Sequence, residues 1–315
     1  MAGFATNSVD HVIRSNLWTS DLKSILEADL MGLGYVRMLT EFTDGDTFNI
    51  PSIGQAEVHD YVEGQAIRYT GMDTGNFTFT VDQYKSSATY VTNKMKQDSY
   101  VMNEIVNSFV PKQARAIAVA MESAIMALGP DGQTASSLNN INGAPHRFVA
   151  GGASAAITIQ DFAKAKYSLD KAFVPQTNRI AIVDPSVDYT LSTLSNLVSM
   201  QNNPMWDGII TTGLRTGMRF SRNIFGFDVY VSDFLKNGIS ETVNSVSVTN
   251  GVANLFFSAD ADVLPFVGSI RQAPQVDSEY NKDLQRDEYV TTCRYGFKLF
   301  RPENMVVCLS NAVAF

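Results

Sequence analysis

The sequence predicts a mixed helix-and-strand (α+β) fold, and three stretches indicate it. Residues 41–91 show no helical periodicity and are punctuated by glycine and proline, which is typical of strands joined by turns. Residues 97–130 then place apolar side chains at helical spacing. Farther on, Arg179 to Asp184 reads RIAIVD, a nearly all-apolar strand with a helical pattern on each side. Together these stretches predict a β excursion, a long helix and a layered α/β core.

Composition indicates a globular protein that lies outside membranes. Hydrophobic residues make up 45% of the 315 residues and charged residues 18%, and no apolar run reaches the roughly 18 residues that span a bilayer. The first twenty residues lack the basic and apolar segments of a secretory signal, so we expect synthesis in a cytoplasm. The net charge of −8 argues against a basic nucleic-acid-binding surface. It does not exclude a role around nucleic acid, because a surface that encloses DNA without binding it gains from lacking a cationic patch.

The region before the long helix predicts a short helix and then an extended β-hairpin. Apolar residues at helical spacing end at Gly32 and Gly34, and the strand pattern follows. We expect Tyr61–Tyr69 to be the outgoing strand and Phe77–Tyr84 the returning strand. Phe77, Phe79 and Val81 alternate with polar residues and form one apolar face. Little else in this region could cover that face, so we expect a neighbouring subunit to bury it, at roughly 1.5–3 kcal/mol per side chain.

The long helix is expected to begin at a cap formed by Asp98 or Ser99 and to stop at Gly129-Pro130. At 1.5 Å per residue it would measure about 45 Å. Pro111 lies inside it and is expected to kink or divide it, because proline removes one hydrogen bond of the ladder. Residues 130–157 are rich in Gly, Ala, Ser and Asn and predict a loop or a partly ordered connection rather than a core element.

The second half of the chain predicts alternating helices and strands. Thr158 and Asp161 have the spacing of a capping box at the start of a helix, and Pro185 is placed to open the next one. Asn250-Gly251 lies between two strand-forming runs and predicts a hairpin turn there. Two or three strands, with a turn at Arg301–Glu303, close the chain.

The candidates for chemistry are weak. His11, His59 and His146 lie far apart in sequence and are interpreted as solvated surface histidines, so we predict no metal site. Asp260 and Asp262 could form a pair of acid/base carboxylates, but a polar loop at the end of a strand explains them better.

Other motifs have equally plain structural readings. Ser186 follows Pro185 without the glycines of a nucleophile elbow, and the glycine-rich run at 150–156 lacks the lysine of a phosphate-binding loop. Cys293 and Cys308 are interpreted as buried free thiols. The sequence therefore predicts no catalytic residue and no cofactor.

The order of the segments carries a resemblance to a known family. An N-terminal arm, GDTFNIPSIG, DQYKSSATYV leading into QDSY, the long helix, RIAIVDPS and YGFKLFRPENMVV follow one another along the chain. In this order they resemble the major capsid proteins of tailed bacteriophages, which have the Hong Kong 97-type capsid fold. That resemblance implies an arm at 1–35, an extended loop with flanking strands at 36–96, a peripheral domain with the spine helix at 97–175, an axial domain at 176–265 and strands returning to the peripheral domain at 266–315.

The resemblance also implies a function and partners. It implies hexamers and pentamers in an icosahedral shell around double-stranded DNA, made in a host bacterial cytoplasm, with a portal and decoration proteins as further partners. No long helical extension precedes the arm, which implies that scaffolding is supplied by a separate protein or by a segment removed earlier. The expected contacts with a neighbouring subunit are Tyr61, Tyr69, Phe77, Phe79, Val81, Tyr84 and Lys85.

Three alternatives accompany this reading. Some relatives join subunits through a covalent bond between lysine and asparagine, and Lys85 lies in the extended loop, where an ion pair or a solvated lysine is the plainer reading. The shell of a cellular nanocompartment that encloses an enzyme has the same fold. A soluble hydrolase using Asp260 and Asp262 is the alternative from another class.

Overall fold

The computed structural model describes residues 31–40, 47–53, 58–66, 69, 71, 74–98, 102–133, 139–193 and 220–311. The predicted helix before Gly32 lies outside these ranges. The helices are α1 (Asn93–Asp98), α2 (Met102–Gly132), α3 (Ile159–Lys171) and α4 (Pro185–Thr193). None of them is both long and apolar enough to cross a bilayer.

The strands are β1 (Val36–Met38), β2 (Thr47–Ile53), β3 (Thr74–Thr80), β4 (Gln83–Thr92), β5 (Asn140–Ile141), β6 (Ala144–Pro145), β7 (Arg147–Val149), β8 (Arg179–Val183), β9 (Phe220–Ile224), β10 (Phe227–Val231), β11 (Ile239–Val243), β12 (Val246–Ser258), β13 (Phe266–Asn281), β14 (Arg286–Leu299) and β15 (Val306–Asn311).

The larger sheet forms the centre of the protein. Its strand order is β7-β15-β12-β8-β10-β9, with β11 paired to β12. Along β8, Ile180 and Ile182 join one apolar cluster, and Ala181 and Val183 join another, which also holds side chains of α3 and α4. The prediction of a strand covered on both faces is confirmed, because all five residues of β8 are buried.

The smaller sheet packs on the long helix. Its order is β1-β13-β14-β4, and β13 and β14 form a long antiparallel hairpin. Ile117 and Met121 of α2 pack with Val276, Cys293 and Tyr295 of this hairpin. The long helix of the sequence prediction is therefore present and is held by one face of the sheet.

The long helix differs from the prediction at its prolines. α2 is continuous across Pro111 and runs beyond Pro130 to Gly132, so neither proline divides or ends it. An interior proline removes one hydrogen bond but leaves the turns on both sides bonded. Beyond Pro130, the Gln133 N–H donates to the Gly129 carbonyl at 3.2 Å and continues the ladder.

The predicted loop at 130–157 is wrong over its second half. β7 pairs in parallel with β15, and its residues Arg147, Phe148 and Val149 are all buried. His146 is 0% exposed, so the prediction of a solvated histidine is also wrong there. A strand of three residues next to glycine and proline has too short a pattern to be recognised from composition.

The predicted turn at Asn250-Gly251 is wrong as well. The chain turns between β11 and β12 at Asn244 and Ser245, whose φ angles are 50° and 66°. Positive φ at both central residues is the requirement of a type I′ hairpin. Asn250, with φ of 56°, instead lies where the pairing of β11 with β12 shifts register, which is a β-bulge.

The closing strands are confirmed, and a 3-10 helix at Pro302–Asn304 forms the turn between the last two. However, β15 pairs with β12 and β7 in the larger sheet, whereas β13 and β14 lie in the smaller one. The segment 266–315 therefore contributes to both sheets. The proposed domain boundaries remain a prediction.

Candidate assembly interface

The extended hairpin is formed by β2 and β3. They pair from Thr47 opposite Thr80 to Ile53 opposite Thr74. The outgoing strand is therefore β2, and the expected strand at Tyr61–Tyr69 is wrong, because its described positions have no strand structure. The sequence does indicate a strand at β2, since Phe48 and Ile50 alternate with polar residues just after the Asp44-Gly45 pair.

The base of the hairpin is covered by its own chain. Phe79 stacks on Phe48 with the ring centroids 5.5 Å apart, and the Arg271 guanidinium lies 4.9 Å from the Phe48 centroid. Phe79 and Val81 are each only 1% exposed. The expectation that Phe79 and Val81 lack cover within their own chain is therefore wrong, and their contact with a neighbouring subunit stays a prediction.

Phe77 also contacts its own chain. Its ring packs edge-on against Phe300 at 5.0 Å between centroids, and the Lys298 ammonium lies 4.9 Å from the ring centre. Lys298 Nζ donates a hydrogen bond of 2.7 Å to the Thr78 carbonyl. Gly296 permits the close approach, because a Cβ there would lie 2.8 Å from Val81 Cα. These contacts dock the base of the hairpin on β14.

The segment beyond the paired strands has the opposite character. Val58, Tyr61, Val62 and Tyr69 are 96%, 74%, 54% and 90% exposed. No described residue of the chain covers these apolar and aromatic side chains. Exposed groups of this kind mark surfaces that contact other molecules.

The strand β4 forms a second exposed region at the edge of the smaller sheet. Within the described ranges it pairs only with β14, and Tyr84, Lys85 and Tyr90 are exposed. Lys85 lies opposite Cys293 in the paired strands. Burial raises the pKa of the Cys293 thiol, and the backbone and charge of Lys85 partly oppose this rise. An open cleft of about 570 Å³ begins beside this strand. It is lined by Thr80, Val81, Asp82, Tyr84, Gln272 and Arg294.

The candidates for chemistry have structural partners. Asp260 accepts a 2.8 Å hydrogen bond from Thr177 Oγ1, and it lies with Asp262 in the irregular segment after β12, as expected. Ser186 donates both its N–H and its hydroxyl to Asp184 at the start of α4, which is a helix cap rather than an activated nucleophile. His59 is exposed, and His11 lies outside the described residues.

Cys293 and Cys308 are buried free thiols, as predicted. Among the residues that the structure describes, no three His, Cys, Asp or Glu side chains group in a way that could hold a metal ion.

Comparison with known proteins decides the family. The model of the phage capsid protein family matches residues 76–308, which is most of the chain. The chain belongs to the phage capsid protein family. The match spans this capsid protein from β3 to β15, so it includes α2 and nearly all of both sheets. A search of curated proteins found no match.

Solved structures show the fold of this capsid protein. A structure from Mycobacterium phage Che8 is 18% identical, with a TM-score of 0.62 over 89% of this chain and 90% of that chain. The capsid asymmetric unit of cyanophage Pam1 is 15% identical, with a TM-score of 0.64 over 89% and 92%. A virus-like particle from Pyrococcus furiosus is 11% identical, with a TM-score of 0.53 over 94% and 99%. The predicted Hong Kong 97-type capsid fold is confirmed.

Proposed function

We propose that this chain is the major capsid protein of a tailed bacteriophage. Many copies assemble as hexamers and pentamers into an icosahedral shell that encloses double-stranded DNA. The role is structural and uses no catalytic residue. The portal, decoration proteins and a separate scaffolding protein are the expected partners, and the shell forms in the host bacterial cytoplasm.

The observation that carries this proposal is the exposed outer segment of the hairpin in a member of the capsid family. Tyr61 and Tyr69 are more than 70% exposed, while the base of the same hairpin is packed firmly on β14. A firmly held projection with an aromatic end fits a contact between subunits, because rigid aromatic side chains bury area at low entropic cost.

Expression of the chain followed by sedimentation and cryo-electron microscopy tests the proposal. We expect closed shells built from rings of five and six copies. Monomers or dimers alone, at every concentration and in the presence of a co-expressed scaffolding protein, would contradict it.

The shell of a cellular nanocompartment is the second candidate, and the match to the Pyrococcus furiosus particle favours it specifically. The contents of particles isolated from the natural source distinguish the two. Nuclease-protected double-stranded DNA supports the phage shell, whereas a protein cargo without DNA supports the nanocompartment.

A further inference from the structure

The end of α3 holds a phenylalanine in a conformation that favours glycine. The Phe173 N–H donates to the Asp170 carbonyl at 3.2 Å, and the Val174 N–H donates to the Leu169 carbonyl at 3.1 Å. This pair of bonds is the Schellman motif, and Val174 and Leu169 make its usual apolar contact in the core. Phe173 occupies the left-handed position of the motif with φ of 58°, where glycine is the usual residue.

The side chain of Phe173 is stabilised little by packing within its own chain. It is 87% exposed, and no ring contact of Phe173 is found in the described part of the protein. The left-handed conformation is disfavoured for any residue with a branched or bulky side chain. A phenylalanine that is both strained and solvated indicates a contact outside this chain.

Phe173 continues a basic and aromatic strip on α3. Lys164, Tyr167 and Lys171 share one face of the helix by their spacing, and all three are exposed. Lys171 Nζ lies 5.9 Å from the centre of the Tyr167 ring. We call Lys164, Tyr167, Lys171 and Phe173 the α3 strip.

The acidic residues of α3 pair with only part of this strip. Asp161 is fully buried and accepts hydrogen bonds from Gly151 and Thr158, with Lys164 Nζ at 3.3 Å. Asp170 is bonded to Arg179 at 2.6 Å. Lys164 is therefore ion-paired within its own subunit, whereas the rest of the strip presents Lys171 and two aromatic rings to its surroundings.

A second aromatic residue, Phe225, also combines a left-handed backbone conformation with an exposed side chain. Phe225 has φ of 51° and is 48% exposed in the turn before β10. Because β8 and β10 are parallel and Asp228 lies opposite Ile180, this turn and the segment before β8 emerge from one end of the sheet. Two exposed aromatic side chains in left-handed conformations thus belong to connections that enter parallel neighbouring strands of the larger sheet.

The charge of the chain indicates what covers the strip. The chain has 24 basic and 32 acidic residues, so the surface of another copy is acidic on average and complements the charge of Lys171. Two strips facing each other would oppose lysine with lysine. A contact of the strip with the same strip of another copy is therefore disfavoured, and we expect the strip to meet a different surface of that copy.

We propose that the α3 strip docks on an acidic surface of a second copy of this chain, with Phe173 as its apolar anchor. The proposal rests on the proposed function, because it specifies one contact within the shell. Substitution of Phe173 then has opposite effects on the subunit and on the assembly.

Phe173→Gly tests this contact directly. Glycine relieves the left-handed strain, so the thermal midpoint of the unassembled subunit should rise by roughly 2 °C. The loss of a buried aromatic anchor should raise the critical concentration for assembly about tenfold or more. Phe173→Asn is the second variant, because asparagine also tolerates this conformation and keeps the test valid if the glycine variant folds poorly.

Two further variants complete the experiment. Asn244→Gly is the matched control, since it places glycine at another exposed left-handed position without removing an aromatic ring, and its critical concentration should equal that of the wild type. Lys171→Glu should raise the critical concentration and reduce its dependence on salt.

The outcomes separate this contact from the function itself. A wild-type chain that never assembles overturns the proposed function and the contact with it. Wild-type shells accompanied by normal assembly of Phe173→Gly and Phe173→Asn overturn the contact alone. Normal assembly of these variants with reduced DNA content would place the strip against nucleic acid and equally overturn the proposal.

Discussion

Arg147 connects the end of the long helix to the larger sheet. Its Nε and Nη2 lie 2.7 and 2.9 Å from the two carboxylate oxygens of Glu241, and its Nη1 donates to the carbonyls of Pro130 and Gln133. The arginine side chain is 3% exposed and that of Glu241 13%. One buried guanidinium therefore satisfies backbone acceptors at the end of α2 and a carboxylate of β11.

We predict that Arg147→Ala lowers the free energy of unfolding by about 3–5 kcal/mol, because a nearly buried carboxylate and two carbonyls lose their donor. Equilibrium unfolding of the unassembled subunit in urea measures this. Glu241→Gln is the control and should cost less, since the amide still accepts one hydrogen bond. A change below about 1 kcal/mol for Arg147→Ala would show that water replaces the arginine.

His146 makes stability depend on pH. Burial lowers its pKa from the ordinary 6.5, and the carbonyls of Ala144 and Glu303 and the charge of Glu303 only partly oppose this. The fold therefore keeps the imidazole neutral, while the unfolded chain takes up a proton first as the pH falls. The contribution of His146 is complete above pH 6.5 and is lost as the pH falls from there towards the lowered pKa.

Comparison of the wild type with His146→Gln isolates this effect. Between pH 7.5 and 5.5 we expect the wild type to lose more free energy of unfolding than the variant, because glutamine does not titrate. Carboxylates titrate in both proteins and cancel in the difference. Equal losses in urea titrations at the two pH values would mean that protonated His146 is accommodated in the fold.

At the scale of elements, the β11–β12 hairpin contains a tight turn at Asn244 and Ser245 and a β-bulge at Asn250, and glycine should affect the two sites differently. Ser245 has a positive φ in the turn, so Ser245→Gly should stabilise the subunit by roughly 0.5–1 kcal/mol. Gly251→Ala should destabilise it by about 1–3 kcal/mol, because its Cβ would lie 2.4 Å from Val248 Cγ2 and 3.0 Å from the Ser310 carbonyl. Thermal unfolding of both variants checks the pair, and a stabilising Gly251→Ala would contradict the bulge geometry.

Elements specified by local sequence could be predicted, and those that depend on distant partners could not. Asp161 accepts hydrogen bonds from the N–H and the hydroxyl of Thr158 as the capping-box spacing indicates, and β8 is buried on both faces as its composition indicates. In contrast, the partner of β3 is fixed by register with β2, and the burial of His146 is fixed by pairing of β7 with β15. The alternation of Phe48 and Ile50 marks β2 as a strand without specifying its partner, and the three residues of β7 are too few to show a period.

At the scale of the whole molecule, the extended hairpin contains two kinds of aromatic residue. Phe48 and Phe79 stabilise the subunit, because they stack on each other and are at most 4% exposed. Tyr61 and Tyr69 contribute no such packing, because most of their surface is exposed to solvent. Substitutions in the two groups should therefore fail in different assays.

We predict that Tyr61→Ser combined with Tyr69→Ser leaves the free energy of unfolding of the subunit within about 0.5 kcal/mol, because exposed side chains contribute little to folding. The same double variant should impair shell formation, since it removes both aromatic contacts of the projecting segment. Phe79→Ala is the matched comparison and should destabilise the subunit itself by about 3–5 kcal/mol through the cavity it leaves beside Phe48. Urea unfolding and sedimentation of both proteins measure the two effects, and normal shells from the tyrosine variant would exclude these side chains from the subunit contact.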